Sequence, residues 1–190
     1  MFEGVLDRVP RINFVGRTHI RRAVPADASG IARVHVAAWD RAFRGIVPDD
    51  VIAARTLEVR IGQWTSVLQK PDRVTLVAHG DDDLICGFAS AVPIPEPNFQ
   101  GYLETLYVAP ALWERGVGRE LLSAIAAELL ARNIGNMALR TLRLGTARGF
   151  YEHLGARLVL EGIVRDAGHF DDVVYGFDDL ALLAKCSRRR

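Results

Sequence analysis

The sequence contains little of what several classes of protein require. Among its 190 residues there are only two cysteines, Cys86 and Cys186, and neither has a partner at the spacing of metal ligands. We therefore expect no metal site, and nothing suggests an oxidising compartment. Cys86 lies in the apolar run 84–88, which predicts a buried, inert thiol rather than a catalytic one.

Long hydrophobic segments and an excess of charge are also missing. No apolar run approaches the roughly 18–20 residues that a membrane-spanning helix needs. The first 17 residues carry Glu3, Asp7 and Arg8 without a continuous apolar stretch, which does not fit a secretory signal. The formal net charge is only +1, so composition gives no argument for nucleic acid as the main partner. We expect a cytoplasmic protein that binds neither membranes nor nucleic acid.

What the sequence does contain fits one globular domain. Hydrophobic residues make up 49% and charged residues 25%, both ordinary values, and the length allows one sizeable core. There is no internal repeat and no linker between domains. We expect an N-terminal arm over residues 1–17, one domain over 18–180 and a basic C-terminal tail over 181–190.

Hydrophobic periodicity predicts the element order β, α, α, β, β, β, α, β, α, β, β. A strand–helix–strand unit over residues 102–142 indicates one parallel or splayed strand pair in a mostly antiparallel, twisted sheet with flanking helices. The fold class is therefore α/β, of the α+β type. The predicted strands are 18–23, 74–78, 84–92, 102–108, 137–142, 157–164 and 172–177, and the helices begin near Pro25, after Pro48, near Val117 and near Arg143.

The most informative segment is the loop between the strand that stops at Pro110 and the helix near Val117. It contains Gly116 and Gly118. The first amides of a helix lack internal partners and carry partial positive charge, and glycine lets an anion approach the backbone closely. The loop predicts a pyrophosphate site, to which Arg115 would add positive charge. A tight turn without a ligand remains the alternative.

Two other phosphate-binding loops fit less well. A dinucleotide-binding loop needs a third glycine and an acidic residue at the end of the next strand. Here Gly118 is followed by Arg119-Glu120-Leu121, and no acidic residue ends the strand 137–142. A Walker loop is excluded because no Gly-Lys-Ser/Thr occurs. What remains is a coenzyme that is held mainly by one loop.

Three segments together resemble the GNAT superfamily of acetyl-CoA-dependent N-acetyltransferases. They are Leu106–Pro110, Arg115–Gly118 and Ala147–Gly155, and the last is similar to the family signature Ala-x-x-Phe-Tyr-x-x-x-Gly. Three motifs in the correct order are much more specific than any one of them. The resemblance covers roughly residues 18–180. It implies that an acetyl group passes from acetyl-CoA directly to a primary amine in a ternary complex.

The resemblance also implies how the coenzyme is bound. The strand would offer backbone groups to the pantetheine arm and the acyl carbonyl, and the loop would surround the pyrophosphate. Tyr151 would stand near the sulfur as general acid, because a phenol of pKa near 10 can donate to a thiolate of solution pKa about 8.5. A packing role in the core is the alternative for Tyr151. The implied coenzyme-binding residues are Leu106, Tyr107, Val108, Arg115, Gly116, Val117, Gly118 and Arg119.

Glu104 is the best candidate for the base. An alkylamine has a pKa near 10.4, so a proton must leave before it attacks. Glu104 lies on the strand beside the coenzyme between Leu103 and Leu106, and apolar surroundings would raise its pKa. Many members of the family use a carboxylate on this strand. The alternatives are that Glu104 points to solvent or belongs to a structural ion pair.

The acceptor side is expected to come from the segment Trp39–Pro48, which resembles a Trp…Tyr-Arg-Gly…Pro segment of the family. Trp39 and Phe43 would wall the pocket and Arg44 would hold a substrate carboxylate, unless these residues only fasten two helices together. We expect a small-molecule amine as acceptor and a monomer or homodimer. The alternatives are a protein N-terminus or lysine as acceptor, and an acyl-CoA-binding module without catalysis.

Three positions depart from the family pattern. Trp113 stands where Gln or Arg is usual, and Glu114 stands where Gly is frequent. A carboxylate near a pyrophosphate is unfavourable unless it turns outward. Leu144 replaces a frequent Asn and removes a polar contact that is expected beside the pantetheine or the catalytic water. The Glu114 and Leu144 departures slightly favour the non-catalytic alternative.

Overall fold

The computed structural model describes residues 17–165 and 170–186. Within these residues, seven strands and six α-helices form one α/β unit. The strands are β1 (His19–Arg22), β2 (Val74–His79), β3 (Ile85–Pro93), β4 (Gly101–Val108), β5 (Met137–Leu142), β6 (Arg157–Arg165) and β7 (Phe170–Phe177). The helices are α1 (Ala28–Phe43), α2 (Asp49–Ala53), α3 (Leu57–Val67), α4 (Val117–Leu130), α5 (Ala147–His153) and α6 (Leu180–Ala184).

The strands form a single sheet in the order β1-β2-β3-β4-β5-β7-β6. Every neighbouring pair is antiparallel except β4 and β5, which run parallel. The parallel pairing ends where Leu103 meets Leu139, and beyond it the two strands separate. Residues 104–108 therefore have no strand neighbour on that side. These features confirm the predicted, mostly antiparallel sheet with one splayed parallel pair.

Each face of the sheet carries its own apolar core. On one face α4 buries Leu121 and Ile125 completely, because apolar residues recur along it at helical spacing. On the other face α1 and α3 bring Ile31 and Trp64 against Phe88 of β3. Full burial of one such aliphatic side chain stabilises the fold by about 1.5–3 kcal/mol. The two cores hold β3 and β4 firmly in the middle of the molecule.

The second predicted helix is in fact two helices, α2 and α3. The break follows Arg55, where the Thr56 hydroxyl accepts a hydrogen bond from the Val59 amide (3.3 Å) and so caps α3. Periodicity alone misses this cap because the apolar stripe continues across it. Gly62 lies inside α3 and does not interrupt it. The break matters for the site, because it leaves Arg55 between the two helices.

The packed unit also continues past residue 180. Leu183 of α6 is buried in the core under α4, and the Ser123 hydroxyl donates to the Ala184 carbonyl (2.7 Å). Five residues are too few for periodicity to reveal such a helix.

The helix expected from Arg143 begins only at Ala147, because residues 143–146 form a turn. In the described parts of the chain, a helix that combines the length and the hydrophobicity of a bilayer span does not occur.

Some predictions fall on parts of the chain that the structure does not describe. The N-terminal arm lies outside the described residues except for residue 17, and so do the turn at 166–168 and the last four residues of the basic tail. The two strands flanking that turn, β6 and β7, pair antiparallel, as the sequence predicts.

Candidate functional site

Two adjoining cavities open where β4 and β5 separate. The large cavity has a volume of about 860 Å³ and is walled by β4, β5 and the ends of α1, α4 and α5 that face them. The small cavity, of about 420 Å³, lies between β4 and the helices α1 and α3. Both volumes are in the range of small-ligand sites. The cavities share six lining residues: Trp39, Glu104, Thr105, Tyr107, Arg165 and Phe170.

The common wall of the two cavities, β4, contains a β-bulge. Ser90 of β3 pairs with Thr105, but the next residue, Ala91, pairs with Leu103. Glu104 is the extra residue, and a bulge of this kind changes the direction in which a side chain points. Glu104 consequently lines both cavities instead of following the alternation of the strand.

The carboxylate of Glu104 has a charged partner. It forms an ion pair with Arg73, which immediately precedes β2. The two side chains are 29% and 18% exposed, so the pair is partly shielded from solvent. The apolar surroundings expected from Leu103 and Leu106 are therefore incomplete, because the bulge lets Glu104 reach Arg73. Its place on the cavity wall still leaves the carboxylate beside any ligand that occupies the cleft.

Tyr151, on α5, faces the large cavity. Only 7% of the residue is exposed, and its ring meets the ring of Phe150 in a T-shaped contact with centroids 5.2 Å apart. Burial raises the pKa of Tyr151 well above its ordinary value, and the nearby Tyr107 and Tyr102 raise it further. The phenol therefore remains protonated at neutral pH.

The glycine loop forms the N-terminus of α4. Gly116 is the N-cap residue and has φ +88°, a left-handed conformation that costs glycine little because it lacks Cβ. Gly118 lies in the first turn, where an added Cβ would stand 3.4 Å from the ring of Phe150. Gly116, Gly118 and Arg119 line the large cavity. This end of α4 therefore offers amides, positive charge and a close backbone approach to an anion.

Trp113 fastens this loop to the end of β4. Its indole Nε1 donates a hydrogen bond of 2.8 Å to the Val108 carbonyl. The guanidinium carbon of Arg41 lies 5.8 Å from the centre of one of its rings. The carbonyl of Val108 is thus already bonded within the chain. Glu114, next in the loop, has φ +63° and is exposed at the edge of the cavity.

The structure brings most of the residues singled out from the sequence to the large cavity. Three do not line it: Arg115 is exposed on the loop, Val117 is buried in the core, and Arg44 is an exposed partner of Asp40. The residues that do line it are Trp39, Phe43, Glu104, Leu106, Tyr107, Val108, Gly116, Gly118, Arg119 and Tyr151.

Several lining residues were missed from the sequence. Arg55, Arg60 and Arg165 line the small cavity. The guanidinium carbons of Arg55 and Arg60 lie 4.4 and 5.7 Å from the ring centre of Trp39, and that of Arg165 lies 4.9 Å from Phe170. No motif links these residues, because α2, α3, β6 and β7 meet only in the folded chain.

His35 carries no charge in this environment. It is buried, and its Nδ1 accepts a hydrogen bond from the Trp64 indole (3.0 Å), so its single proton is on Nε2. Burial, and then the positive charges of Arg60 and Arg55, lower its pKa to about 3. The wall of the small cavity is therefore electropositive without any contribution from His35.

Two further expectations can be compared with the structure. Leu144 is 67% exposed, and the neighbouring Thr141 and Thr146 line the large cavity, so polar side chains are present near the position of the missing Asn.

The Cys86 thiol is fully buried, donates to the Ala78 carbonyl (3.3 Å), and has a pKa raised by burial to about 11. This confirms the predicted burial of the thiol. The described residues contain no cluster of histidine, cysteine or acidic side chains that could hold a metal ion.

Comparisons with known proteins agree with this geometry. The sequence model of the acetyltransferase (GNAT) family matches residues 36–156. This range includes the end of α1 that lines the large cavity, all of β4, the glycine loop and α5. The uncharacterized N-acetyltransferase YuaI of Bacillus subtilis (strain 168) is 28% identical over 167 residues, covering 86% of this chain and 95% of that protein.

Solved structures share the fold at low sequence identity. The PaiA N-acetyltransferase from Thermoplasma acidophilum, in complex with coenzyme A, has a TM-score of 0.68 at 19% identity and covers 84% of this chain and 98% of its own. The putative acetyltransferase YncA from Salmonella typhimurium, with acetyl-CoA, has a TM-score of 0.63 at 20% identity and covers 87% and 95%. With the family match extending over more than half of its length, this chain belongs to the acetyltransferase (GNAT) family.

Proposed function

We propose that this acetyltransferase moves an acetyl group from acetyl-CoA to the primary amine of a small molecule. The observation that carries the proposal is the large cavity, with the N-terminus of α4 on one wall and Glu104 and Tyr151 on others. The two solved relatives bound to coenzyme A or acetyl-CoA support the choice of coenzyme.

The residues of the large cavity fit acetyl-CoA. Its pyrophosphate would lie against the amides of Gly116 and Gly118, with Arg119 beside it and Arg115 nearby on the exposed loop. The pantetheine arm would lie along residues 104–108, where β4 lacks a strand neighbour and can offer backbone hydrogen bonds. Trp113 already occupies the Val108 carbonyl, so these contacts would come from the remaining backbone groups of the strand.

The reaction requires two proton transfers, and the cavity offers one residue for each. The amine nitrogen attacks the thioester carbon, the bond from that carbon to sulfur breaks, and the sulfur leaves as a thiolate. Glu104 would accept the proton that the amine loses, directly or through a water molecule. Tyr151 would donate its proton to the sulfur. A positioned acid or base contributes about 10²–10⁴ in rate.

The size and lining of the small cavity favour a small acceptor over a protein. Trp39 and Phe170 line its junction with the large cavity and contact each other edge-on, with ring centroids 6.4 Å apart. Residues of α1 and α3 line its other walls, and a volume of about 420 Å³ suits a small molecule. An acceptor that occupies this cavity would lie next to Glu104.

A comparison of acceptors tests this proposal. Release of free thiol from acetyl-CoA should be measured with a panel of small amines and with peptides that carry a free N-terminus or a lysine. We expect kcat/KM to be at least tenfold higher for the best small amine. Faster turnover of the peptides would contradict the small-molecule assignment. Tight binding of acetyl-CoA without turnover of any acceptor would instead favour a non-catalytic coenzyme-binding module.

A further inference from the structure

The small cavity holds positive charge that the described chain does not neutralise. Arg55 and Arg60 line it, and no carboxylate of the described residues forms an ion pair with either. Their hydrogen bonds go to neutral oxygens instead. Arg55 donates to the Val51 carbonyl (2.5 Å), and Arg60 donates to the side-chain oxygen of Gln63 (2.8 Å).

The two guanidinium groups also lie close enough to repel each other. Burial lowers the pKa of Arg60, and the charge of Arg55 lowers it further. Both groups pack against the ring of Trp39. Folding places these like charges together although their repulsion is unfavourable, and an anion between them would relieve it.

Hydrogen-bond donors at this place also lack partners. The Nε of Arg60 and the indole Nε1 of Trp39 are buried and have no hydrogen-bond acceptor within the described parts of the chain. A buried donor without a partner is unfavourable, and both donors belong to side chains that line the small cavity, where an acceptor atom of a ligand would remove this cost. These donors are an observation independent of the charge.

The other charged residues of the small cavity do not reduce its positive charge. Glu104 is paired with Arg73, Asp172 is shared by Arg165 and Arg140, and His35 is neutral. Arg55 and Arg60, on the side of the cavity formed by α2 and α3, therefore have no carboxylate partner among the described residues.

We propose that Arg55 and Arg60 bind an anionic group, a carboxylate or a phosphonate, of the amine that receives the acetyl group. This inference rests on the proposed function. Guanidinium groups suit both anions because their donors form a planar fork. Glu104 stands at the junction with the large cavity, so an acceptor held by its anionic end would present its amine towards the acetyl group.

This arrangement selects an acceptor class. The acceptor is an amino acid or an aminoalkylphosphonate whose apolar part packs against Trp39 and Phe170. Polyamines and other acceptors with several positive charges are repelled by the same two arginines. Arg44, which the sequence suggested for a substrate carboxylate, lies outside both cavities and is paired with Asp40.

The test compares acids with their uncharged counterparts. Thiol release from acetyl-CoA should be measured at pH 7 with glycine, alanine, leucine, phenylalanine and 4-aminobutyrate, each as free acid and as carboxamide, and with the phosphonate analogues of the first three. The amine of a carboxamide is less basic and more of it is free at this pH. A preference for the acid therefore comes from binding. We expect kcat/KM to be tenfold to a hundredfold higher for the preferred acid or phosphonate than for the matching amide.

Single variants test whether Arg55 and Arg60 cause the preference for the acid over the amide. Arg60→Gln and Arg55→Gln should each raise KM for the preferred acid about tenfold or more, leave its kcat within a few-fold and hardly change kcat/KM for the amide. Arg33→Gln, on the exposed side of α1, is the matched control and should behave as wild type. Affinity for acetyl-CoA and the thermal midpoint should be followed in all variants, so that a loss of folding is recognised.

The outcomes separate the two proposals. If wild type prefers the amides, or if the arginine variants impair acid and amide equally, the anionic acceptor is wrong and the proposed function stands. If no amine is turned over, the proposed function fails, and the anion site is then tested by titrating the same acids and phosphonates against the tryptophan fluorescence of wild type and Arg60→Gln. Saturable binding that the variant loses supports the site, and no binding to wild type overturns it.

Discussion

At the residue scale, Tyr151 and Glu104 face the same cavity with opposite surroundings. Tyr151 is buried against the ring of Phe150, whereas Glu104 contacts the guanidinium of Arg73. Both residues could be inferred from the sequence. Tyr151 lies in a motif that resembles the family signature, and Glu104 is the carboxylate of an apolar strand. The partner Arg73 could not, since it lies 31 positions away along the chain and only the bulge brings the two together.

Tyr151→Phe removes only the hydroxyl group. We expect kcat to fall at least tenfold while the affinity for acetyl-CoA changes little, because a general acid acts in the chemical step. Steady-state assays of thiol release measure kcat, and calorimetry measures the affinity for acetyl-CoA. Tyr175→Phe is the control, since Tyr175 bonds to Glu152 and Arg148 and lines neither cavity. An unchanged kcat in Tyr151→Phe would assign Tyr151 to packing.

Glu104→Gln keeps the size of the side chain but cannot accept the amine proton. Its rate should drop at neutral pH and partly recover at high pH, where more free amine is present. An acceptor that is already deprotonated, such as an aromatic amine or a hydrazide, should be much less sensitive, and pH profiles of kcat/KM with both kinds of acceptor measure this.

Arg73→Gln serves as the control for Glu104, because it breaks the same ion pair and keeps the carboxylate. If both variants impair both kinds of acceptor equally, Glu104 has a structural role and the base must be sought elsewhere.

At the element scale, the order of strands along the chain could be predicted, but the irregular points that shape the site could not. The bounds predicted for β5, residues 137–142, agree with the structure because apolar residues there end at clear turns. The bulge at Glu104 and the cap at Thr56 leave the hydrophobic pattern intact, so periodicity cannot reveal them. Both irregularities contribute to the small cavity, since one directs Glu104 and the other positions Arg55.

The N-terminus of α4 gives a test at the same scale. In Gly118→Glu, a side chain would enter where an added Cβ already stands 3.4 Å from Phe150, and its negative charge would oppose a phosphate. We expect calorimetry to show acetyl-CoA affinity reduced at least tenfold. Gly62→Ala, in α3 with open space around its Cα, is the control. Wild-type affinity in Gly118→Glu would show that the loop does not bind the coenzyme.

At the scale of the whole molecule, the site depends on residues far apart in sequence. The small cavity joins Arg55 and Arg60 to Phe170, more than 100 positions away. A motif search finds the segment 102–155 because its residues are close together along the chain. It cannot find the small cavity, whose lining comes from α1, α3, β4 and β7. The sequence therefore suggested Arg44, which is close to Trp39 along the chain, and not Arg55 or Arg60, which only the fold brings to the ring of Trp39.

Folding of the whole chain should depend on pH through His35. Its folded pKa is about 3, against an ordinary value near 6.5, so below pH 6.5 the unfolded chain takes up a proton that the folded chain does not. The free energy of unfolding should therefore decrease as the pH falls from 6.5 towards 3, by up to about 1.4 kcal/mol per pH unit from this residue. Urea unfolding at pH 7, 6 and 5 measures the slope, and His35→Gln should flatten it. Equal slopes would contradict the buried neutral state of His35.

Direct transfer of the acetyl group is tested by mass spectrometry of a reaction that contains the protein, acetyl-CoA and an amino acid acceptor. We expect an acetyl group on the amine nitrogen of the acceptor, one free coenzyme A for each acetylated amine, and no acetyl group on the protein itself. Release of coenzyme A without acetylated acceptor would mean hydrolysis. A protein that becomes acetylated before the acceptor does would mean an acyl-enzyme, and either result would contradict direct transfer in the cleft between β4 and β5.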